Sequence, residues 1–226
     1  RVPLYDSDPE GPFNAQQNAQ TAVNAERYYR AMVEGGMKSW NVRDEHMTDT
    51  LESLLNFHGP ETKAILWEHN THIGDARATD MADAGLVNVG QLVREKWGEE
   101  NAFLVGSGSY QGSVIAGRAW GSKMREMEVP PARKGSWESI LHAVSPKNKI
   151  VLTDELAEDP YLSESLYHRA IGVVYNPEQE RYGNYVPSII PERYNAFLFI
   201  DQSRALPPID TRLEKLLFSE TYPGEA

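Results

Sequence analysis

Six short apolar runs restrict the fold of this chain more than any other feature: Lys63–Trp67, Ala102–Val105, Ser113–Ala116, Lys149–Leu152, Ala170–Tyr175 and Ala196–Ile200. Each is bounded by turn residues or charge, the pattern of a strand covered on both faces. Stretches with apolar residues at helical spacing lie before and between them. Such alternation specifies an α/β fold, here expected as a mixed, mostly parallel sheet flanked by helices. The chain has 226 residues and 40% hydrophobic content, which supports one substantial core and a single domain over residues 1–226.

A helical hairpin is expected at the N-terminal end. Residues 1–13 are rich in Pro, Gly and Asp and read as an extended lead-in. Asn14 with Gln17 three residues later forms a capping-box pattern, and Ala15, Ala19, Ala22, Val23, Tyr29 and Met32 continue at helical spacing to Gly35-Gly36. A second helix from about Trp40 carries Met47, Leu51, Leu54 and Leu55 on one face and stops at Gly59-Pro60. Further helices are expected around Leu86–Trp97, after Ser136 (Trp137, Ile140, Leu141) and over Thr211–Phe218. Residues 74–84 read as loop or broken helix.

Composition narrows the function classes. Lys+Arg 22 against Asp+Glu 33 leaves a formal net charge of -11, which argues against an electrostatic grip on nucleic acid or an anionic membrane. There is no cysteine, so disulfides, thiolate metal sites and a cysteine nucleophile are excluded. No run of about 18 apolar residues marks a transmembrane helix. The chain starts at Arg1 without a signal-peptide pattern, as a processed product or part of a longer chain would, and a cytoplasmic location is expected.

Titratable chemistry concentrates in Ile65-Leu66-Trp67-Glu68-His69-Asn70-Thr71-His72-Ile73-Gly74-Asp75. We read this as a buried strand ending at an active site, because open α/β sheets place ligands beyond the carboxyl ends of their strands. His69 and His72 reach one site only if Asn70-Thr71 turns the chain, since positions three apart on a strand face opposite ways. Three readings remain. Histidine titrates near neutrality and could serve as a general base, oriented by Glu68 or Asp75. The two imidazoles with Asp75 could ligate a metal, although the His-Glu-x-x-His helical signature is absent. In a purely structural reading, one histidine caps a loop and the other sits against Trp67.

Arg43-Asp44 with His46 begins an amphipathic helix and either projects toward the same crevice or forms a surface ion pair. Gly106-Ser107-Gly108-Ser109 lacks both the Lys-Ser/Thr of a P-loop and the spacing of a nucleophile elbow, and reads as a tight turn after a strand. His58, His142 and His168 have no local partner pattern and are expected in ordinary structural positions.

Trp40-Asn41-Val42-Arg43-Asp44 with Met47 and Leu51, followed by Trp67-Glu68-His69-Asn70-Thr71-His72, resembles the erythromycin esterase family. Phe103-Leu104-Val105-Gly106 leading to Gln111-Gly112-Ser113-Val114, Ser136-Trp137-Glu138-Ser139-Ile140-Leu141-His142, and Ala196-Phe197-Leu198-Phe199-Ile200-Asp201 agree with it. The resemblance spans about residues 24–210. It implies an α/β hydrolase of carboxylic esters that opens macrolactone rings, an antibiotic-resistance activity, through water activated by a histidine without an acyl-enzyme. His69 and His72 are the histidines it implies, and Arg43 and Asp44 match a family motif. With Glu68 and Asp75 from the local pattern, the candidate catalytic residues are His69, His72, Glu68, Asp75 and Arg43. The implied partner is a small-molecule ester, with no nucleic acid, membrane or cofactor.

The family's Gly-Glu-x-x-His-Gly segment is missing here. The chain thus resembles the carboxyl-terminal half of the pattern, with the rest of the site on an absent amino-terminal half or another polypeptide. Such a fragment would be inactive alone and would expose a sheet edge normally covered. The alternative function is a non-catalytic metal- or haem-binding protein that uses His69 and His72 as ligands. Fold alone does not select the substrate.

Overall fold

A computed structural model describes residues 9–35 and 37–207. The helix expected at Thr211–Phe218 and most of the expected lead-in lie outside the described residues. The chain divides into two compact units, residues 1–105 with 192–195 and residues 106–191 with 196–226. No described helix is long and apolar enough to cross a membrane.

The first unit is helical. Helix α1 (Gly11–Glu34) and helix α2 (Lys38–His58) form the expected hairpin. Helix α1 starts before the Asn14 capping box, because Pro12 occupies its first turn, where a missing N–H leaves no bond unmade. The Asn14 N–H already donates to the Glu10 carbonyl at 2.8 Å. Phe13 stacks on Phe57 with ring centroids 4.4 Å apart, and Asn24 Nδ2 lies 2.9 Å from His46 Nδ1. These contacts join the start of α1 to the end of α2, and then their middles, so the helices run antiparallel. Helix α2 buries Asp44, Thr48 and Leu51 on one stripe.

The expected buried strand Lys63–Trp67 does not form. The segment pairs with no other strand, and Ile65 and Trp67 are 94% and 96% exposed. A strand needs a neighbour to satisfy its backbone, and no described residue supplies one. The chain then turns through helix α3 (Asn70–Ile73). Loop residues 74–88 carry it to helix α4 (Val89–Trp97), which Gly98 ends at φ +88°. Asn88 caps α4 by accepting from the Gln91 N–H at 3.0 Å. It also accepts from the Ala76 N–H at 3.1 Å and donates to the Thr71 carbonyl at 3.1 Å. Gly90 lets α4 rest directly on the α3 turn, since a Cβ there would lie 2.2 Å from the Ile73 oxygen.

The second unit carries a four-stranded sheet in the order β2-β1-β6-β3 and a two-stranded sheet of β4 and β5. Strands β1 (Val105–Ala116) and β2 (Arg125–Val129) are antiparallel neighbours. Helix α5 (Trp137–Val144) follows, capped by Ser136. Then come β3 (Lys149–Leu152), β4 (Leu166–Arg169), the short α6 (Glu180–Gly183), β5 (Tyr185–Ser188) and β6 (Ala196–Gln202). Strand β3 pairs antiparallel with β6, and β4 with β5. Bonds from Asn195 N to Leu104 O and from Ser203 N to Gln111 O bracket β6 and show it running parallel to β1. The sheet is mixed, as expected, but not mostly parallel: among the described strands only β1 and β6 run parallel, and the other pairings are antiparallel.

Three local expectations change. Gly106–Tyr110 is not a tight turn; it continues β1 from Val105 into the expected Ser113–Ala116 run, while Ala102–Leu104 precede the strand. Gly108 is required by space, since a Cβ would sit 2.8 Å from the Phe197 ring and 2.9 Å from Glu138 Oε1. Residues 170–175 are not a regular strand, and Val174 makes one isolated bridge to Gly117. Tyr175 instead packs with Ala116, Met127 and Val129 in a buried cluster. Strand β2 was not expected, because its sequence Arg125-Glu126-Met127-Glu128-Val129 buries only alternate residues.

Candidate active site

The site is assembled in the first unit by α2, the α3 turn and α4. Asp44 is fully buried, and its two oxygens lie 2.9 and 2.8 Å from His72 Nδ1. An ionised carboxylate only accepts, so Nδ1 carries the ring proton and Nε2 presents its lone pair. Arg43 Nη2 donates to that Nε2 from an exposed position on α2. Asp44 also accepts the Val89 N–H at 3.3 Å, at the N-terminus of α4, where the helix dipole favours an anion.

Trp40 fixes the plane of the His72 ring. The two rings stack with centroids 4.5 Å apart and planes 6° from parallel. The indole N–H donates to the Val87 carbonyl at 2.8 Å, so the tryptophan is itself held. Asn41 supports the same loop, donating to Gly85 O at 2.9 Å and accepting from Val87 N at 3.0 Å. One turn of α2 thus supplies the ring's stacking partner, its carboxylate and the cation on its outer nitrogen.

His69 plays a different part. Its Nδ1 caps α3, accepting from the Thr71 N–H at 3.3 Å and meeting Thr71 Oγ1 at 2.9 Å. In the neutral ring this leaves the proton on Nε2. The two histidines therefore present opposite Nε2 chemistry: a lone pair at His72 and an N–H donor at His69. The loop-capping role considered for one histidine belongs to His69, whereas the other stacks on Trp40 and not on Trp67.

Glu68 is half-buried, and its Oε2 has no hydrogen-bond partner among the described residues. Burial pushes its carboxyl above the ordinary value, partly countered by His72 and Arg43 and reinforced by Asp44. Asp75 faces elsewhere. It accepts from Arg77 Nε and Nη2 at 3.0 and 2.7 Å and from Arg94 Nη1 at 3.1 Å. Burial alone would raise its carboxyl, but these arginines hold it below the usual range. Buried Arg94 also donates to Glu192 O and Asn195 Oδ1, so Asp75 anchors the loop after α3 and does not orient a histidine. Of the five expected residues, His72, Arg43 and Glu68 share one electrostatic neighbourhood, His69 borders it through α3, and Asp75 lies outside it.

Sequence reasoning missed the role of Asp44. The available signal was its helical spacing: Trp40, Asp44, Thr48 and Leu51 form one stripe, and a carboxylate in such a stripe must find a buried partner. Two other histidines also hold carboxylates, both in the second unit. His142 Nδ1 lies 2.6 Å from Asp201 with its ring stacked on Tyr110, and fully buried His168 lies 2.7 Å from Glu138. No group of three or more His, Cys, Asp or Glu among the described residues is arranged to hold a metal ion.

A family model described as erythromycin esterase matches residues 4–203. This chain belongs to the erythromycin esterase family. Three solved structures resemble this erythromycin esterase family chain. One is described as a succinoglycan biosynthesis protein, with 18% identity and a TM-score of 0.58 over 74% of this chain. Another is a Bacillus cereus protein with 14% identity and a TM-score of 0.61 over 74% of this chain. The third is an erythromycin esterase mutant in its open conformation, with 17% identity and a TM-score of 0.56 over 81% of this chain. At these identities the likeness shows a shared fold. The family member described here spans only 39%, 39% and 43% of those three chains.

Proposed function

We propose that this chain carries the histidine side of an ester-hydrolysing site, with His72 as the general base. The observation that carries the reading is the buried Asp44 carboxylate on His72 Nδ1. It holds the ring in the tautomer whose Nε2 accepts a proton, and it stabilises the imidazolium that results. Arg43 covers Nε2 at rest and, being exposed, swings aside as water and ester enter. Water loses its proton to Nε2 as its oxygen bonds the ester carbonyl carbon. The carbonyl oxygen becomes an oxyanion, which Arg43 and the His69 Nε2–H are chemically suited to stabilise. Collapse breaks the carbon–oxygen ester bond, and the alkoxide leaves with a proton from the imidazolium or from the Glu68 carboxyl, which burial disposes to hold one.

The substrate class proposed is a bulky or cyclic carboxylic ester, with erythromycin-type macrolactones the first choice on family grounds. The remaining groups of the site are assigned to polypeptide beyond these residues, because this chain covers only 39–43% of the solved structures it is similar to. Hydrolysis of a panel of macrolides and simple esters by the full-length protein tests the proposal. His72→Ala should lower kcat/KM by about 10²–10⁴-fold, the usual worth of a positioned base. An unchanged rate in His72→Ala would remove it.

A further inference from the structure

The second unit holds a cavity between the loop after β2 and the loop that carries α6. Its volume is about 350 Å³, within the range of about 300–1,000 Å³ typical of small-molecule sites. Pro130, Pro131, Pro177 and Tyr185 give it apolar walls. Hydrogen bonds fix those walls in place. Buried Arg169 donates from Nη2 to the Pro130 carbonyl at 2.8 Å and from Nε to the Tyr185 hydroxyl at 3.2 Å. The Arg133 N–H donates to the same hydroxyl at 2.8 Å, which ties the proline loop to β5. A cavity with a rigid frame loses little entropy when it takes a ligand.

Its charge runs against that of the chain. Asp+Glu outnumber Lys+Arg 33 to 22 overall, yet Arg133, Lys134 and Arg181 all line this cavity. None of the three makes an ion pair with a described residue. The Arg133 guanidinium lies 3.7 Å from the centre of the Tyr167 ring, a contact that orients its fork. Glu180 is only 3% exposed, and its Oε1 lies 2.5 Å from Arg169 Nε, so its charge is balanced internally. Burial pushes the Tyr185 hydroxyl up to about 12, so the phenol adds no negative charge near neutral pH. Of the lining residues, exposed Glu178 alone opposes the three cations. A cleft lined by one sign of charge concentrates ions of the other, and guanidinium groups match the paired oxygens of carboxylates and phosphates. We infer that this cavity binds a small organic anion, with its carboxylate or phosphate on Arg133, Lys134 and Arg181 and its apolar body against the prolines and Tyr185. No step of the proposed ester hydrolysis uses these residues.

Calorimetric titration of the full-length protein tests this with four probes. Phenyl phosphate and benzoate carry a ring and an anionic head, inorganic phosphate carries the head alone, and benzamidine carries a ring with the opposite charge. At least one ring anion should saturate with a Kd below about 1 mM and weaken as salt rises. The tighter of the two identifies the head group as phosphate or carboxylate. Inorganic phosphate should bind at least about tenfold more weakly than the better ring anion, and benzamidine should not bind. Lys134 and Arg181 are exposed, so the double variant Lys134→Gln, Arg181→Gln should keep the fold while it weakens the ring anion by at least about tenfold. Failure of both ring anions to saturate overturns the inference. So does an unchanged affinity in the double variant, inorganic phosphate that binds as tightly as the ring anions, or benzamidine that does.

Discussion

Asp44→Asn is the most informative single change at the site, because it removes one charge while preserving shape. The wild-type carboxylate sits 2.8–2.9 Å from His72 Nδ1 and is fully buried. When Nε2 accepts a proton, the new positive charge and this carboxylate are separated by about 4 Å. At an effective dielectric of about 20 this attraction is about 4 kcal/mol. Each 1.4 kcal/mol or so is tenfold in rate, so losing it slows the step by about three orders of magnitude. Asparagine adds a second effect, since its NH₂ can donate to Nδ1 and turn the ring to the unproductive tautomer. An Asp→Asn change behind a catalytic histidine has cost about 10⁴-fold in a serine protease. We therefore expect kcat/KM for ester hydrolysis by the full-length protein to fall by about 10²–10⁴-fold. The imidazole ¹⁵N shifts of His72 should move from the Nδ1–H form toward a mixture. A variant that folds normally, keeps the Nδ1–H signature and hydrolyses esters within about threefold of wild type would refute the reasoning.

Glu138→Ala should cost about 3–5 kcal/mol in urea unfolding, because it strands the buried His168 and the Arg169 N–H that share its Oε1. Burial alone would raise this carboxyl, but the His168 charge and hydrogen bonds hold it below its ordinary value. A depressed carboxyl stabilises above the unfolded-state value, so the gap between wild type and variant should narrow as pH falls below about 4.5. A gap independent of pH between 3 and 7 would contradict this. Gly90→Ala places a methyl 2.2 Å from the Ile73 oxygen and 2.6 Å from the Gly74 oxygen. It should destabilise by about 1–3 kcal/mol and disturb the His72 ring signals, as read by urea melts and imidazole NMR. A neutral outcome would mean that α4 does not set the position of the histidine turn.

Local patterns in the sequence carried much of the fold. The α1–α2 hairpin, α4 with Asn88 before it and Gly98 after it, and α5 behind Ser136 all rest on periodicity and capping within a few residues of each helix. The strands β3 and β6 were legible as short apolar runs for the same reason. The resemblance built on Trp40–Asp44 and on Glu68–His72 was enough to identify the family. What stayed hidden depended on long-range partners. Gly106–Gly108 reads as a turn until Phe197 and Glu138 are found above it. Asp75 looks like a partner for the nearby histidines until Arg94 claims it from α4. Asp44 and His72 are 28 positions apart, and no pattern in one dimension measures the 2.8 Å between them. The sequence by itself determined the helices, the family and the histidines on offer. Only the tertiary structure decided which carboxylate orients which ring, because burial and charge pairing depend on distances through space and not along the chain.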